Sequence, residues 1–85
     1  MSERRLTIRG RTYVTLETVA ECYRVEVAWV REVYEYGLLG TGEPVRDTTA
    51  VAAEMLERAA VILRLHRQQG INLEGIARLL WELDE

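Results

Sequence analysis

The residue types that most often carry chemistry are scarce in this chain and stand far apart. His66 is the single histidine and Cys22 the single cysteine among 85 residues. Neither helical turn next to His66 holds a cysteine or a second histidine, so the sequence does not predict a metal site. A lone cysteine also forbids an internal disulfide, which is typical of proteins from a reducing cytosol.

No arrangement typical of an enzyme can be assembled from the remaining residues. The run Gly40-Thr41-Gly42 lacks the strand-to-helix context and the lysine of a phosphate-binding loop. A Ser-His-Asp set and a pair of acids in a cleft are missing as well. The sequence therefore predicts a protein without enzymatic activity, metal or cofactor, whose function depends on a surface.

The side chains best suited to recognition are acidic and lie on a short helix. At 100° per residue, Ala28, Arg31, Glu32 and Glu35 share its outer face. Glu26 stands at the start of the same helix. Such a face would attract a cationic partner, or it could be an ordinary solvated helix face.

Two aromatic residues accompany these acids. Trp29 and Tyr36 are seven positions apart and fall on one side of the helix. They could anchor a partner protein, because aromatic residues are enriched at interface hot spots. The alternative is that both pack against the third helix or against the N-terminal arm.

A helix-turn-helix spanning Thr15 to Leu39 is expected to position these side chains. Thr15 stands where a hydroxyl would cap the first helix, and Gly37 can take the left-handed conformation that ends the second. Each helix carries an apolar stripe at helical spacing. The stripes are Leu16, Val19, Ala20 and Tyr23 in the first helix, and Val27, Val30, Val33 and Tyr34 in the second.

Two further helices are predicted after a loop. The loop covers Gly40 to Thr49, and a third helix runs from about Ala50 to Gln69 and ends at Gly70. Asn72 is expected to cap a fourth helix, with its stripe at Leu73, Ile76, Ala77, Leu80 and Leu83. The expected fold is a mainly α, single domain over residues 1–85, with four helices and at most a short β ribbon.

The fourth helix carries more apolar surface than its stripe requires. Leu79 and Trp81 point away from the line formed by Leu73, Ile76 and Leu80. This surplus predicts docking on a partner or on another copy of the chain. The alternative is that the helix is sandwiched inside the domain.

Charge divides the chain into a basic arm and an acidic body. The net charge is −3, because residues 1–15 sum to +3 and residues 16–85 to −6. Residues 1–11, the basic N-terminal arm, either contact phosphates or an acidic partner, or form a solvated tail. The arm allows a two-stranded ribbon around Arg9-Gly10. No apolar run reaches the roughly 18 residues of a membrane span, so a cytoplasmic location is expected.

The order of these parts resembles a known superfamily. A helix-turn-helix ending in YEYGLLG, a loop, a long helix and the run QQGINLEGIARLL follow one another. This order is similar to the DNA-binding domain of MerR-type regulators, and the resemblance covers Thr12 to Leu83. The run RLHRQQGINLEGIARLL looks most like two branches, the HspR-type heat-shock repressors and the CbpM chaperone modulators, which include DafA. Gly75-Ile76-Ala77 preceded by Arg64-Leu65 is most similar to CbpM.

The outer face of the second helix distinguishes these branches. In MerR-type DNA binders this face and the wing supply arginines and tyrosines that hold phosphates. Here the face keeps only Arg31, and the run GTGEPVRDTT lacks the Gly-Tyr-Arg of MerR wings. Carboxylates repel DNA phosphates, so this departure favours the CbpM branch.

The resemblance to CbpM implies a partner. Members of that family bind the J-domain of DnaJ-type co-chaperones, whose second helix is basic. The expected function is therefore a chaperone-modulating adaptor that binds the J-domain or the DnaK–DnaJ assembly. The expected partner-binding residues are Glu26, Trp29, Glu32, Glu35, Tyr36 and Trp81. The alternative is a MerR- or HspR-like transcriptional regulator that binds DNA as a dimer, with the arginine arm compensating for the weak face.

Overall fold

A computed structural model describes residues 5–83, apart from the side chain of Leu83. The described chain forms four helices and one four-stranded antiparallel sheet. The elements in chain order are β1 (Arg5–Ile8), β2 (Arg11–Thr15), α1 (Leu16–Tyr23), α2 (Val27–Glu35), β3 (Glu43–Val45), β4 (Thr48–Ala52), α3 (Met55–Gln68) and α4 (Leu73–Leu83).

The sheet is more extensive than the sequence predicted. Its strand order is β1-β2-β4-β3, and all neighbours are antiparallel. Arg9 and Gly10 join β1 to β2 with φ values of 51° and 79°, as in the two-residue turns that favour a hairpin. The ribbon expected around these two residues is present, and it forms one half of the sheet.

The expectation of a mainly α fold is wrong. Strands hold 22% of the structure and helices 53%, so the domain is α+β. Most of the predicted loop Gly40–Thr49 lies in β3, its turn and the start of β4, and the third helix begins at Met55 instead of Ala50. The reason is a long-range pairing, because Val51 of β4 lies opposite Val14 of β2 and both are fully buried. Strand preference depends on such neighbours more than on local sequence.

The basic arm is, where described, a part of this sheet. Residues 1–4 of the expected arm lie outside the described residues. Arg9 in the first turn forms an ion pair with Glu43 of β3, at the other side of the strand order. The sheet must therefore curl for the two ends to meet.

The predicted helix caps are confirmed. Thr15 Oγ1 accepts a hydrogen bond of 3.1 Å from Thr18 N at the start of α1. Asn72 Oδ1 accepts one of 2.9 Å from Gly75 N at the start of α4. These bonds satisfy donors that a helix start leaves without intrahelical partners.

The core lies between the helices and the inner face of the sheet. Fully buried members include Leu16, Leu38, Leu39, Ile62 and Ile76. Leu79 and Trp81 remain 40% and 56% exposed, so the described residues do not sandwich that side of α4. No helix within residues 5–83 is both long enough and apolar enough to cross a membrane.

Candidate functional site

Burial of one side of α2 determines which side chains point outward. Val30 and Val33 are 1% and 2% exposed and hold the helix against the core. Glu32 and Glu35 are exposed, as the helical spacing predicted, and Glu26, the N-cap residue of α2, is exposed as well. Within residues 5–83 no ion pair engages any of these three carboxylates. The result is a negatively charged helix face in contact with solvent.

Trp29 lies at the edge of this face and packs against α3. Its ring centroid is 5.6 Å from that of His66, at an interplanar angle of 39°. His66 Nδ1 donates a hydrogen bond of 3.1 Å to the Ile71 carbonyl, which fixes the imidazole in place. The packing alternative weighed for Trp29 is therefore present, although the residue stays half-buried and lines the surface clefts.

The indole nitrogen of Trp29 is an unsatisfied donor. Nε1 is buried and has no hydrogen-bond partner among the described residues. A buried donor left unpaired costs about 1–3 kcal/mol, and such groups are uncommon in native proteins. If Trp29 served only in packing, its unpaired indole N–H would destabilise the fold without any compensation.

One cleft is lined by Trp29, Glu32 and Glu35 of α2 and by Tyr36 at the C-terminal end of this helix, and we call it the acidic cleft. It has a volume of about 400 Å³ and is bounded by the end of α2, by α3 and by the start of α4. Among residues 5–83, its lining includes two carboxylates and no arginine. The lining residues are Trp29, Glu32, Glu35, Tyr36, His66, Asn72 and Leu73.

A second cleft lies on the other side of the Trp29–His66 pair, and we call it the turn cleft. Its volume is about 810 Å³, and it runs between α1, the helix-turn-helix turn and α3. Among residues 5–83, three carboxylates and two guanidinium groups line it, so their charges nearly balance. The charged residues are Glu17, Glu21, Arg24, Glu26 and Arg67.

Glu17 is fixed on the wall of the turn cleft by β4. Thr48 Oγ1 donates a hydrogen bond of 2.6 Å to Glu17 Oε1. This bond lowers the pKa of Glu17, partial burial opposes the shift, and the charge of Arg31 lowers the pKa further. Arg31 is itself exposed and does not line the acidic cleft.

Two tyrosines link the helix-turn-helix to the rest of the fold through hydrogen bonds. Tyr23 Oη donates a hydrogen bond of 2.6 Å to the Leu56 carbonyl, which ties α1 to α3. Burial is the main cause that raises the pKa of Tyr23, and the nearby Cys22 and Glu57 raise it further. This hydrogen bond holds α1 against α3, and residues of these two helices line the turn cleft.

The second link joins α2 to the strand hairpin that follows it. Tyr34 Oη accepts a hydrogen bond of 3.3 Å from Gly42 N, just before β3. A β-carbon at Gly42 would come within 2.8 Å of this same oxygen. The close approach of the chain to α2 at this point requires glycine.

The structure gathers four of the six predicted partner-binding residues into one cleft. Trp29, Glu32, Glu35 and Tyr36 line the acidic cleft, whereas Glu26 lines the turn cleft. Trp81 is exposed on α4 and lines neither cleft.

Sequence analysis missed the residues that complete the acidic cleft from α3 and α4. These are His66, Asn72 and Leu73. One signal was present for His66, which follows Ile62 by four residues and Leu63 by three and so extends the apolar side of α3. The contact with α2 depends on how α3 packs, which the spacing alone does not determine.

Comparison with known proteins adds nothing to this geometry. No protein-family model, curated protein or solved structure matches the chain. Within the described part of the chain, no group of three or more His, Cys, Asp or Glu side chains is arranged to hold a metal ion.

Proposed function

We propose that this chain is an adaptor that binds a basic surface of a partner protein through α2. The partner we propose is the J-domain of a DnaJ-type co-chaperone, alone or in an assembly with DnaK. This choice of partner rests on the resemblance of residues 64–80 to the CbpM chaperone modulators. The adaptor would act in the cytoplasm.

One observation supports the proposal most strongly. Glu32 and Glu35 are exposed on α2 and line one cleft with the rings of Trp29 and Tyr36, and Glu26 adds an exposed carboxylate at the start of the same helix. Complementary charge speeds association and selects partners, while aromatic side chains supply much of the binding energy at interfaces. A basic helix with a few apolar side chains is the ligand that such a surface fits.

Calorimetric titration of the purified chain with an isolated J-domain tests the proposal. We expect saturable binding whose affinity falls as salt is raised, because exposed charges are screened. A titration without binding heat, together with no co-elution in gel filtration, would reject the J-domain as the partner.

DNA binding is the second candidate, and the geometry favours it less. Of the basic residues in the described part of the arm, Arg9 is engaged by Glu43. The exposed face of α2 would bring carboxylates towards phosphates, which opposes association. A filter-binding assay that detected a salt-sensitive complex with duplex DNA would reverse this order.

The role of α4 is a separate part of the proposal. Trp81 and Leu79 offer apolar surface for a further contact, either with the same assembly or in a homodimer. Gel filtration of the chain alone, compared with a Trp81→Ser variant, distinguishes these two cases. A homodimer would elute early and shift to the monomer position in the variant.

A further inference from the structure

We infer that the acidic cleft is a receptor for an arginine side chain of the partner. The first reason is charge. Glu32 and Glu35 line this cleft with no arginine from the described part of the chain, whereas the larger turn cleft already contains Arg24 and Arg67. Within residues 5–83 the acidic cleft is therefore the more strongly negative of the two, and a cationic group is the ligand that complements it.

The second reason is the combination of carboxylates with aromatic faces. Trp29 and Tyr36 line the same cleft as the two glutamates. A planar guanidinium can stack on an aromatic ring while its N–H fork binds carboxylate oxygens. A lysine ammonium is a compact, strongly hydrated charge that makes neither a stacked nor a forked contact equally well.

The third reason is the unsatisfied donor of Trp29, a residue that lines the cleft. Trp29 Nε1 is buried without an acceptor among the described residues, and the residue contributes to the lining of both clefts. A bound peptide segment brings backbone carbonyls, which are the acceptors that this donor lacks. A small shift of the indole on binding would then remove the cost of leaving the donor unpaired.

A divalent metal ion is a weaker candidate for the same cleft. Within residues 5–83 the two glutamates are the only acidic residues in its lining, and no group of three or more His, Cys, Asp or Glu side chains is arranged to hold a metal ion. Aromatic walls supply no oxygen ligands for a hard cation. An organic cation uses both kinds of side chain.

This inference deepens the proposed function and rests on it only for the identity of the partner. Two matched peptides test it, acetyl-Ala-Leu-Arg-Ala-Leu-Arg-Ala-amide and the same peptide with lysine in place of arginine. Binding is followed at about 150 mM salt, where the Debye length is about 8 Å and long-range attraction is screened.

The readout is the pair of indole N–H resonances in a ¹⁵N-labelled sample. The chain has two tryptophans, so the signals report separately on Trp29 and on Trp81, which lies outside the acidic cleft. We expect the arginine peptide to shift the Trp29 signal and to bind about threefold to fivefold more tightly than the lysine peptide. The Trp81 signal is expected to stay in place.

Two double variants identify the cleft. Glu32→Gln with Glu35→Gln should abolish the preference for arginine. The control is Glu21→Gln with Glu82→Gln, which makes the same change in net charge at exposed positions outside the acidic cleft and should keep the preference. Tyr36→Ser, at a residue 42% exposed, removes one aromatic face without disturbing the core and should also reduce the preference.

The inference fails if the two peptides bind equally, or if the variant with both cleft glutamines still prefers arginine. A parallel titration with the J-domain separates this failure from that of the proposed function. If the J-domain binds while the two peptides bind equally, the proposed adaptor function stands and the proposed arginine site is rejected. If the arginine peptide is preferred but the J-domain does not bind, the arginine site stands and the J-domain is rejected as the partner.

Discussion

The two clefts on either side of the Trp29–His66 pair share a wall and differ in charge. The turn cleft is about twice as large, 810 against 400 Å³, but Arg24 and Arg67 offset most of its carboxylates. The acidic cleft is smaller and keeps its negative charge. Under the proposed function, uncompensated charge beside an aromatic surface, more than volume, distinguishes the cleft that is expected to bind a basic partner.

The largest expected effect comes from a substitution in α3, the helix that lines both clefts. Ile62 is fully buried in α3, one turn before His66. Ile62→Ala should lower the free energy of unfolding by about 2–5 kcal/mol, because it leaves a cavity in the core. Urea denaturation measures the loss. A change below about 1 kcal/mol would mean that α3 is not packed as described.

A second change tests the strands that brace α2. A β-carbon at Gly42 would lie 2.7 Å from Thr49 Cγ2 and 2.9 Å from the Ala50 carbonyl oxygen. Gly42→Ala should therefore destabilise the domain by about 1–3 kcal/mol through overcrowding. Gly70→Ser, where the added group meets open space but φ is positive, is a comparison that carries backbone strain without crowding. Thermal unfolding that leaves the Gly42 variant unaffected would contradict the position of β3.

Charge reversal tests which of the two clefts contributes more to partner binding. Glu32→Arg with Glu35→Arg should weaken partner binding at least about tenfold and change stability by no more than about 0.5 kcal/mol, because both positions are exposed. The same reversal at Glu21 and Glu26, in the turn cleft, should weaken binding less. Calorimetry with the J-domain compares them, and equal losses would show that the partner does not discriminate between the clefts.

Part of this arrangement could be predicted from the sequence. Helical spacing identified the outward glutamates of α2, and capping chemistry located Thr15 and Asn72, since both signals are local. β4 escaped prediction because Val51 acquires its strand partner, Val14, from a distant part of the chain. The acidic cleft could not be predicted for the same reason, because the packing of α3 and α4 brings His66 to α2.

The smallest expected effect concerns the turn cleft alone. Thr48 lowers the pKa of Glu17, so the Glu17 carboxylate stabilises the fold above its unfolded pKa, and this contribution is lost as pH falls through the lower folded pKa. Thr48→Val should reduce stability at neutral pH by less than about 1 kcal/mol, because the pair is exposed. The difference from wild type should disappear in acid, as followed by denaturation at several pH values.

The most direct test of the central claim maps the bound J-domain onto the chain. Backbone amide shifts of the ¹⁵N-labelled protein are recorded as an unlabelled J-domain is added. The account predicts shifts concentrated on residues 26–36 and on the Trp29 indole. An absence of shifts there at high J-domain concentration, or shifts confined to the Trp81 end of α4, would contradict it.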